Sequence, residues 1–248
     1  MKFVIMGGTG FIGSKVVSKL TAAGHEAIAA SPSNGIDSVT GEGLDEAMAG
    51  AHAVLDVTNS PTFDPQGILD FFNKSTSNQI VAEKEAHVRH HVLLSIVGIH
   101  KLPDNAYTKG KIAQENMVEG SGVPFTIVRA TQFMEYLGTI ADHGGSHGET
   151  YIPTANVQVV AASDLVDALC EILTEGPTNS TVQIAGPDRA PMNEVVSRYL
   201  KAKGDDRVVR ADPDALYFGS RLEADTLVPD GSVRICQTTL NEFIARGV

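Results

Sequence analysis

A glycine-rich run near the start of the chain constrains its fold more than any other feature. The run GGTGFIG, residues 7–13, follows an apolar segment at 2–6 and opens an amphipathic segment at 11–23. It contains both a GxGxxG and a GxxGxxG spacing. Without side chains the backbone can turn sharply and approach a pyrophosphate, which the N–H groups at the start of the next helix stabilise. The run therefore predicts a dinucleotide cofactor that is held by Gly7, Thr9, Gly10, Phe11, Ile12 and Gly13.

Short apolar runs alternate with helical patterns through the first 130 residues. Predicted strands cover residues 2–6, 26–30, 36–39, 51–57, 92–96 and 125–128. Predicted helices cover residues 11–23, 43–49, 67–88 and 109–118. The strands are continuous apolar runs, which is typical of strands buried on both faces of a parallel sheet. The alternation of strands and helices predicts an α/β fold with a doubly wound parallel sheet, the Rossmann architecture.

The pattern loosens after residue 130. Short strands are predicted at 149–153 and 181–184, and helices at 132–141, 163–173, 192–202 and from Thr238 onward. These strands are too few for a second independent sheet. We therefore predict a dinucleotide-binding Rossmann domain over residues 1–130, followed at 131–248 by a mixed part that carries a small substrate-binding lobe.

Composition and charge argue against several classes of partner. The 248 residues include 19 Lys and Arg against 30 Asp and Glu, so the formal net charge is −11, and such a surface repels nucleic acid. No stretch approaches the ~20 apolar residues of a membrane helix. Cys170 and Cys236 are far apart, as is typical of a reducing compartment. We expect a cytoplasmic protein with a small-molecule substrate and no nucleic-acid or membrane partner. The sequence is compatible with a homo-oligomer.

The end of the second predicted strand bears on which dinucleotide is bound. NAD sites usually carry an acid there for the ribose 2′-hydroxyl, but the segment AASPSN, residues 29–34, has none before Asp37. A 2′-phosphate is then not repelled, and Ser31 and Ser33 can donate hydrogen bonds to it. NADP(H) is therefore favoured over NAD(H), although no Arg neutralises the phosphate. Two further candidates for cofactor binding, Thr58 and Asn59, follow the strand predicted at 51–57. The alternative is that they form only a polar turn.

A second group of residues has the chemistry needed to reduce a carbonyl. Tyr107 and Lys111 are four apart, so they share one face of a helix, and Ser95 stands at the end of a predicted strand. Hydride transfer to a carbonyl carbon creates an alkoxide that needs a proton, which a tyrosine hydroxyl can donate. A nearby ammonium favours the phenolate and so lowers the tyrosine pKa from about 10. A serine hydroxyl can orient the substrate oxygen.

The motifs together resemble those of atypical short-chain dehydrogenase/reductases of the NmrA-like branch. The similar stretches are GGTGFIG at 7–13, residues 31–44, LLSIVGI at 93–99, YTKGKIAQE at 107–115, IVRATQF at 127–133 and the helix SDLVDALCEIL. The resemblance implies an NAD(P)H-dependent enzyme with Ser95, Tyr107 and Lys111 as catalytic residues, Lys111 also touching the cofactor. It puts Ala130 and Thr131 near the nicotinamide and Gln132 and Phe133 near the substrate. Asn73 and Asn78 are equal candidates for a further family position.

Three functions are consistent with this sequence. We expect an oxidoreductase that transfers hydride to a small carbonyl or quinone-like acceptor, with Tyr136 as a further pocket residue. One alternative is an NADP(H)-sensing regulatory protein without turnover, since some members of the branch lack the tyrosine. The other is an epimerase or dehydratase.

Histidine spacing raises the question of a metal. His87 and His91, and His143 and His147, are each four apart. The first pair spans a predicted helix end and the second brackets two glycines, so neither has the continuous helix that such a ligand pair requires. We expect no metal site.

Overall fold

The computed structural model describes residues 1–145 and 148–247 and shows a central parallel sheet flanked by helices. The described strands are β1 (Lys2–Met6), β2 (Glu26–Ala30), β3 (Ala53–Asp56), β4 (His91–Ile96), β5 (Phe125–Ala130), β6 (Glu149–Ile152), β7 (Asn156–Val157), β8 (Ser180–Ala185), β9 (Ala190–Pro191), β10 (Val208–Ala211) and β11 (Arg234–Ile235). The described helices are α1 (Gly13–Ala22), α2 (Leu44–Met48), α3 (Pro65–Glu85), α4 (Ala106–Glu119), α5 (Leu137–His143), α6 (Ala162–Glu175), α7 (Met192–Ala202) and α8 (Leu240–Ala245).

The strand order fixes where a ligand can bind. Within the described residues the central sheet has seven strands in the order β11-β8-β5-β4-β3-β1-β2. β1 pairs in parallel with β2 on one side and with β3 on the other, so that Met6 lies opposite Ala30 and Asp56. The chain direction across the sheet reverses at β1, which is the switch point where doubly wound sheets bind ligands. The predicted fold class is therefore confirmed.

The prediction of a strand at 36–39 is wrong. This segment is a turn in which Asp37 Oδ1 accepts hydrogen bonds from the backbone N–H of Val39 at 2.7 Å and of Thr40 at 3.4 Å. A short carboxylate that bonds its own following backbone competes with strand pairing. Asn78 of α3 adds to the turn by donating to the carbonyls of Ser38 and Val39. The apolar pattern at 36–39 was too short to outweigh these local bonds.

The chain forms two compact units, each assembled from several segments. The first unit comprises Met1–Ser95, Ala106–Arg129 and Val166–Val182. The second comprises Ile96–Asn105 together with the described parts of Ala130–Leu165 and Gln183–Val248. The predicted division at residue 130 stays a prediction.

Each unit has a buried apolar cluster of its own. In the first unit the cluster includes Val4, Met6 and Val54 from the sheet, packed with Leu44 and Met48 of α2. In the second unit the cluster draws on α5, α7 and the segments around β6 and β7; its members include Leu137, Ile152, Val157, Val196 and Leu200. Burial of such side chains is the main favourable term in folding.

The structure also shows the character of the described helices and the state of the two cysteines. Among the described residues no helix is both long and apolar enough to cross a membrane. Cys170 and Cys236 are buried free thiols.

Two adjacent buried histidines, one just before β4 and one at its first residue, differ in the protonation state that the fold favours. His91 Nδ1 lies 2.7 Å from Glu83 Oε1, and both side chains are at most 1% exposed. Burial opposes protonation, but the charge and hydrogen bond of Glu83 outweigh it and raise the pKa of His91. His90 bonds Thr126 Oγ1 at 2.8 Å instead, and burial lowers its pKa to about 4. The fold therefore favours the charged form of His91 and the neutral form of His90.

We predict that Glu83→Gln changes how stability depends on pH. Because the pKa of His91 is raised in the folded state, its protonation stabilises the fold. This contribution is fully present below the pKa of an unfolded His, about 6.5, and is lost as the pH rises through the folded pKa of His91. The stability difference between the wild type and Glu83→Gln should therefore shrink above pH 6.5, by at most about 1.4 kcal/mol per pH unit. Urea unfolding of both proteins from pH 5.5 to 9 measures it. A difference that stays constant with pH would contradict a protonated His91.

Candidate functional site

The glycine-rich turn between β1 and α1 is packed backbone against backbone. Gly7 has a φ of +78°, and a Cβ on it would come within 2.9 Å of Val57 O, beyond the end of β3. A Cβ on Gly8 would lie 2.6 Å from Ala29 Cα, and one on Gly13 would overlap Gly7 O. These three glycines are therefore required by the packing of the turn itself.

The same turn leaves an open side at the start of α1. A Cβ on Gly10 would meet only Gly7 O, at 3.2 Å, and Thr9, Gly10 and Phe11 are exposed. No side chain caps α1 at Ile12 among the described residues. An uncapped helix N-terminus beside an exposed glycine suits an anion, because N–H groups and the positive end of the helix dipole face it. The residues present thus fit the pyrophosphate of a dinucleotide.

The serines after β2 are brought together. Ser31 Oγ and Ser33 Oγ lie 2.8 Å apart, and Ser31 is 7% exposed. Asn34 donates its amide to Ala29 O at 2.8 Å, so it closes the turn. In α1, the Lys15 ammonium lies 5.0 Å from the centroid of the Phe11 ring. The segment after β2 thus has two adjacent hydroxyls.

Tyr107 and Lys111 lie one turn apart near the start of α4. The helix begins at Ala106, earlier than the predicted residue 109, and so includes Tyr107. The Tyr107 ring packs edge-on against Phe72 of α3, with 5.7 Å between centroids. The Lys111 ammonium lies 5.1 Å from the centroid of the same Phe72 ring. Phe72 therefore contacts both members of the predicted pair.

Lys111 points into the protein. It is 3% exposed, and its ammonium donates to Leu94 O at 2.8 Å and to Gln114 Oε1. Burial lowers the pKa of Lys111 to about 8, against the opposing charges of Asp56 and Glu115. The next residue after Leu94 is Ser95, which is 3% exposed and whose Oγ has no hydrogen-bond partner among the described residues. Ser95 thus has a buried hydroxyl whose hydrogen-bonding capacity is not used by the described residues.

Asp56 is a functional candidate that sequence reasoning missed. It ends β3, is fully buried and accepts hydrogen bonds on both carboxylate oxygens. Thr58 donates its N–H and hydroxyl to Oδ1 at 2.8 and 2.6 Å, while Gln79 and Gln114 donate to Oδ2 at 3.0 and 2.7 Å. The only sequence signal was a charged residue inside a predicted buried strand. Charged residues are almost never fully buried unless paired.

The remaining predicted residues lie in the second unit, from Ala130 onward. Thr131 is buried, and its hydroxyl donates to Gln158 O at 2.6 Å. Gln132 Oε1 is buried without a hydrogen-bond partner among the described residues. The rings of Phe133 and Tyr136 stack with 5.6 Å between centroids, and Tyr136 is 45% exposed. Phe133 and Tyr136 together form an aromatic surface, and their roles at a cofactor or substrate stay predictions.

The described residues contain no group of three or more His, Cys, Asp or Glu side chains arranged to hold a metal ion. His91, one member of the spaced pairs, is engaged by Glu83. His147 lies outside the described residues.

A doubly wound sheet with an open glycine turn at its switch point defines a dinucleotide-binding Rossmann protein. Residues 7–168 match a family model described as NAD(P)H-binding. The chain therefore belongs to the NAD(P)H-binding family, and its cofactor is a nicotinamide dinucleotide. This confirms the class expected from the motifs.

Two curated relatives are named as reductases. The chain is 29% identical over 220 residues to an NAD(P)H azoreductase of Xenophilus azovorans, covering 81% of this chain and 73% of the relative. It is 32% identical over 218 residues to a (4-alkanoyl-5-oxo-2,5-dihydrofuran-3-yl)methyl phosphate reductase of Streptomyces griseus, again covering 81% and 73%.

Solved structures share the fold at low identity. An NADPH-dependent quinone oxidoreductase of Escherichia coli, solved with NADPH, superposes with a TM-score of 0.71 at 19% identity, covering 98% of this chain and 99% of that one. A nucleoside-diphosphate-sugar epimerase of Staphylococcus aureus gives a TM-score of 0.70 at 15% identity, with the same coverage. The fold is thus shared by reductases and epimerases.

We predict that two alanine substitutions separate packing from cofactor binding. Gly13→Ala should lower the melting temperature, because the new methyl group overlaps Gly7 O. Gly10→Ala should leave the melting temperature close to that of the wild type but weaken NADPH binding at least about tenfold, since its methyl group occupies the face open to the pyrophosphate. Thermal melting and NADPH fluorescence titration measure the two effects. Unchanged NADPH affinity in Gly10→Ala would refute the assignment of this turn.

Proposed function

We propose that this protein is an NAD(P)H-dependent reductase that transfers hydride to a small carbonyl or quinone-like acceptor. The observation that carries the proposal is the open, uncapped start of α1 at the switch point, in the same unit as the buried Ser95 hydroxyl and Tyr107. The names of the two curated relatives and of the quinone oxidoreductase support reduction of conjugated acceptors.

Each proposed catalytic side chain has one task. The bound nicotinamide supplies the hydride. Ser95 Oγ donates a hydrogen bond to the acceptor oxygen and orients it, and the Tyr107 hydroxyl donates the proton that the reduced oxygen needs. Lys111 acts electrostatically from its buried position, because its positive charge favours the phenolate that remains on Tyr107. The candidates for contacts to the nicotinamide and the substrate are Ala130, Thr131, Gln132, Phe133 and Tyr136.

NADP(H) is the cofactor form that the site favours. Ser31 and Ser33 offer two adjacent hydroxyls, and the segment after β2 carries no carboxylate before Asp37. The buried free thiols suit a reducing compartment, so a cytoplasmic location is part of the proposal.

NADPH should bind more tightly than NADH, and Ser31→Asp should reverse this preference. The new carboxylate accepts from a ribose 2′-hydroxyl and repels a 2′-phosphate. Ser31→Asn has nearly the same shape without the charge, so it should weaken NADPH binding far less. Fluorescence titration with both cofactors at matched ionic strength measures the preference. Tighter NADH binding by the wild type would overturn the NADP(H) assignment.

Tyr107→Phe should abolish most turnover without weakening cofactor binding. The ring still packs on Phe72, but the proton donor is gone, so the rate should fall at least about a hundredfold. Tyr151→Phe is the matched control, because it removes an exposed hydroxyl from β6. NADPH oxidation with quinones, azo dyes and conjugated carbonyls measures the rates.

The outcomes of that screen separate the candidate functions. Full activity in Tyr107→Phe would show that Tyr107 is not the proton donor, but it would not contradict the assignment as a reductase. A wild type that binds NADPH and reduces none of the acceptors would favour the alternative of an NADP(H)-sensing protein.

A further inference from the structure

A polar layer lies buried between the sheet and helices α3 and α4 of the first unit. α4 turns Lys111, Gln114 and Glu115 inward, each at most 3% exposed, and α3 does the same with Gln79 and Glu83. Helix faces that pack on a sheet are normally apolar. Burying ionised groups is costly unless each is paired and hydrogen-bonded, so this layer calls for an explanation in function.

The charges in the layer are matched one to one. Glu115 accepts two hydrogen bonds from Arg129, at 3.0 and 2.6 Å, and Glu83 pairs with His91. The third pair is indirect, because Lys111 and Asp56 are joined through the side chain of Gln114, which accepts from Lys111 and donates to Asp56. Of these three carboxylates, Asp56 is the one that also holds a loop at the ligand edge of the sheet.

We propose that Asp56 is the positioning residue of the cofactor site, and that the Lys111–Gln114–Asp56 chain keeps its carboxylate oriented to hold the Thr58 turn against the glycine-rich turn.

The link from Asp56 to the glycine-rich turn is short. Asp56 Oδ1 fixes Thr58 by both its N–H and its hydroxyl. The adjacent peptide is in contact with the glycine turn, since Val57 O and Thr58 N would lie 2.9 and 3.2 Å from a Cβ on Gly7. Val57 N–H also donates to Met6 O at 3.0 Å. If Thr58 is released, one wall of the glycine-rich turn can move, and the N–H groups that face the pyrophosphate move with it.

The amide of Gln114 has only one orientation that satisfies both neighbours. Its oxygen must face the Lys111 ammonium, which only donates, and its NH₂ must face the Asp56 carboxylate, which only accepts. In Asp56→Asn the new NH₂ group would either face the amide donors of Gln79 and Gln114 or turn toward Thr58, which also donates. Gln114 cannot turn over to relieve this conflict, because its NH₂ would then face Lys111.

Removal of Lys111 frees Gln114 to turn over. In the double variant Asp56→Asn/Lys111→Met, the Gln114 oxygen can accept from the asparagine NH₂. Gln79, whose oxygen has no hydrogen-bond partner among the described residues, can turn over and accept from the same NH₂. The asparagine oxygen can still accept from Thr58. The two substitutions should therefore compensate each other. If Lys111 instead served cofactor binding only by direct contact, its loss would add to the loss at position 56.

The experiment is a double-mutant cycle on NADPH affinity, read by fluorescence titration together with the binding-competent fraction and the melting temperature. We expect Asp56→Asn to raise the dissociation constant at least about tenfold, and the double variant to recover at least about threefold of that loss. Glu83→Gln is the matched control, because it removes a buried carboxylate of α3 from the same layer that bonds His91, whereas Thr58 bonds Asp56. It should lower the melting temperature and leave the dissociation constant unchanged.

Two results would overturn the proposal. One is an Asp56→Asn protein that loses stability and competent fraction but binds NADPH with wild-type affinity, as a purely structural residue would. The other is a double variant whose loss equals or exceeds the sum of the single losses. If Asp56→Asn alone does not fold, the NADPH affinity of the double variant is compared with that of Lys111→Met. A double variant that binds NADPH more than about tenfold more weakly than Lys111→Met contradicts the proposal. The cycle measures no turnover, so it can fail while the reductase assignment stands.

Discussion

The contact of backbone with backbone at the glycine-rich turn is the constraint on which the first unit depends. Gly7 lies against the peptide after β3, Gly8 lies against β2, and Gly13 brings α1 onto the turn. No residue with a Cβ fits at these three points without moving backbone. Because β1 stands between β2 and β3, this one turn joins the two halves of the doubly wound sheet at the edge where such sheets bind their ligands.

Sequence reasoning predicted the parts of the fold that depend on local patterns. The glycine spacing sufficed for the β1–α1 unit, and the amphipathic pattern of α7 predicted its bounds, Met192–Ala202, without error. The segment at 36–39 failed because the Asp37 side chain bonds the backbone that a strand would need. Strand β10 was missed because it is short and mostly exposed, so it lacks a continuous apolar run.

The candidate site could be predicted only in part, for a reason that lies in the side chains of α4. The four-residue spacing of Tyr107 and Lys111 correctly implied one helix face. It could not show that the Lys111 ammonium bonds Leu94 O and Gln114 inside the protein. In a sequence, Lys111, Gln114 and Glu115 resemble the polar outer face of a helix. Their partners Asp56, Leu94 and Arg129 come from three different strands, and only the folded chain brings them together.

This polar layer is a poor way to gain stability, which bears on why the chain has it. Paired charges in a core seldom stabilise more than an apolar core of the same shape, because desolvation offsets their attraction. What such a network does supply is direction: the Gln114 amide, for example, can face Lys111 and Asp56 in one way only, so turning it over leaves buried groups unsatisfied. Asp56 occupies the point in the layer where direction matters most, since Thr58 and the wall of the glycine-rich turn follow it within two residues. A pyrophosphate site built from backbone N–H groups has no side chains of its own to adjust, and its precision must come from the residues that hold that backbone still.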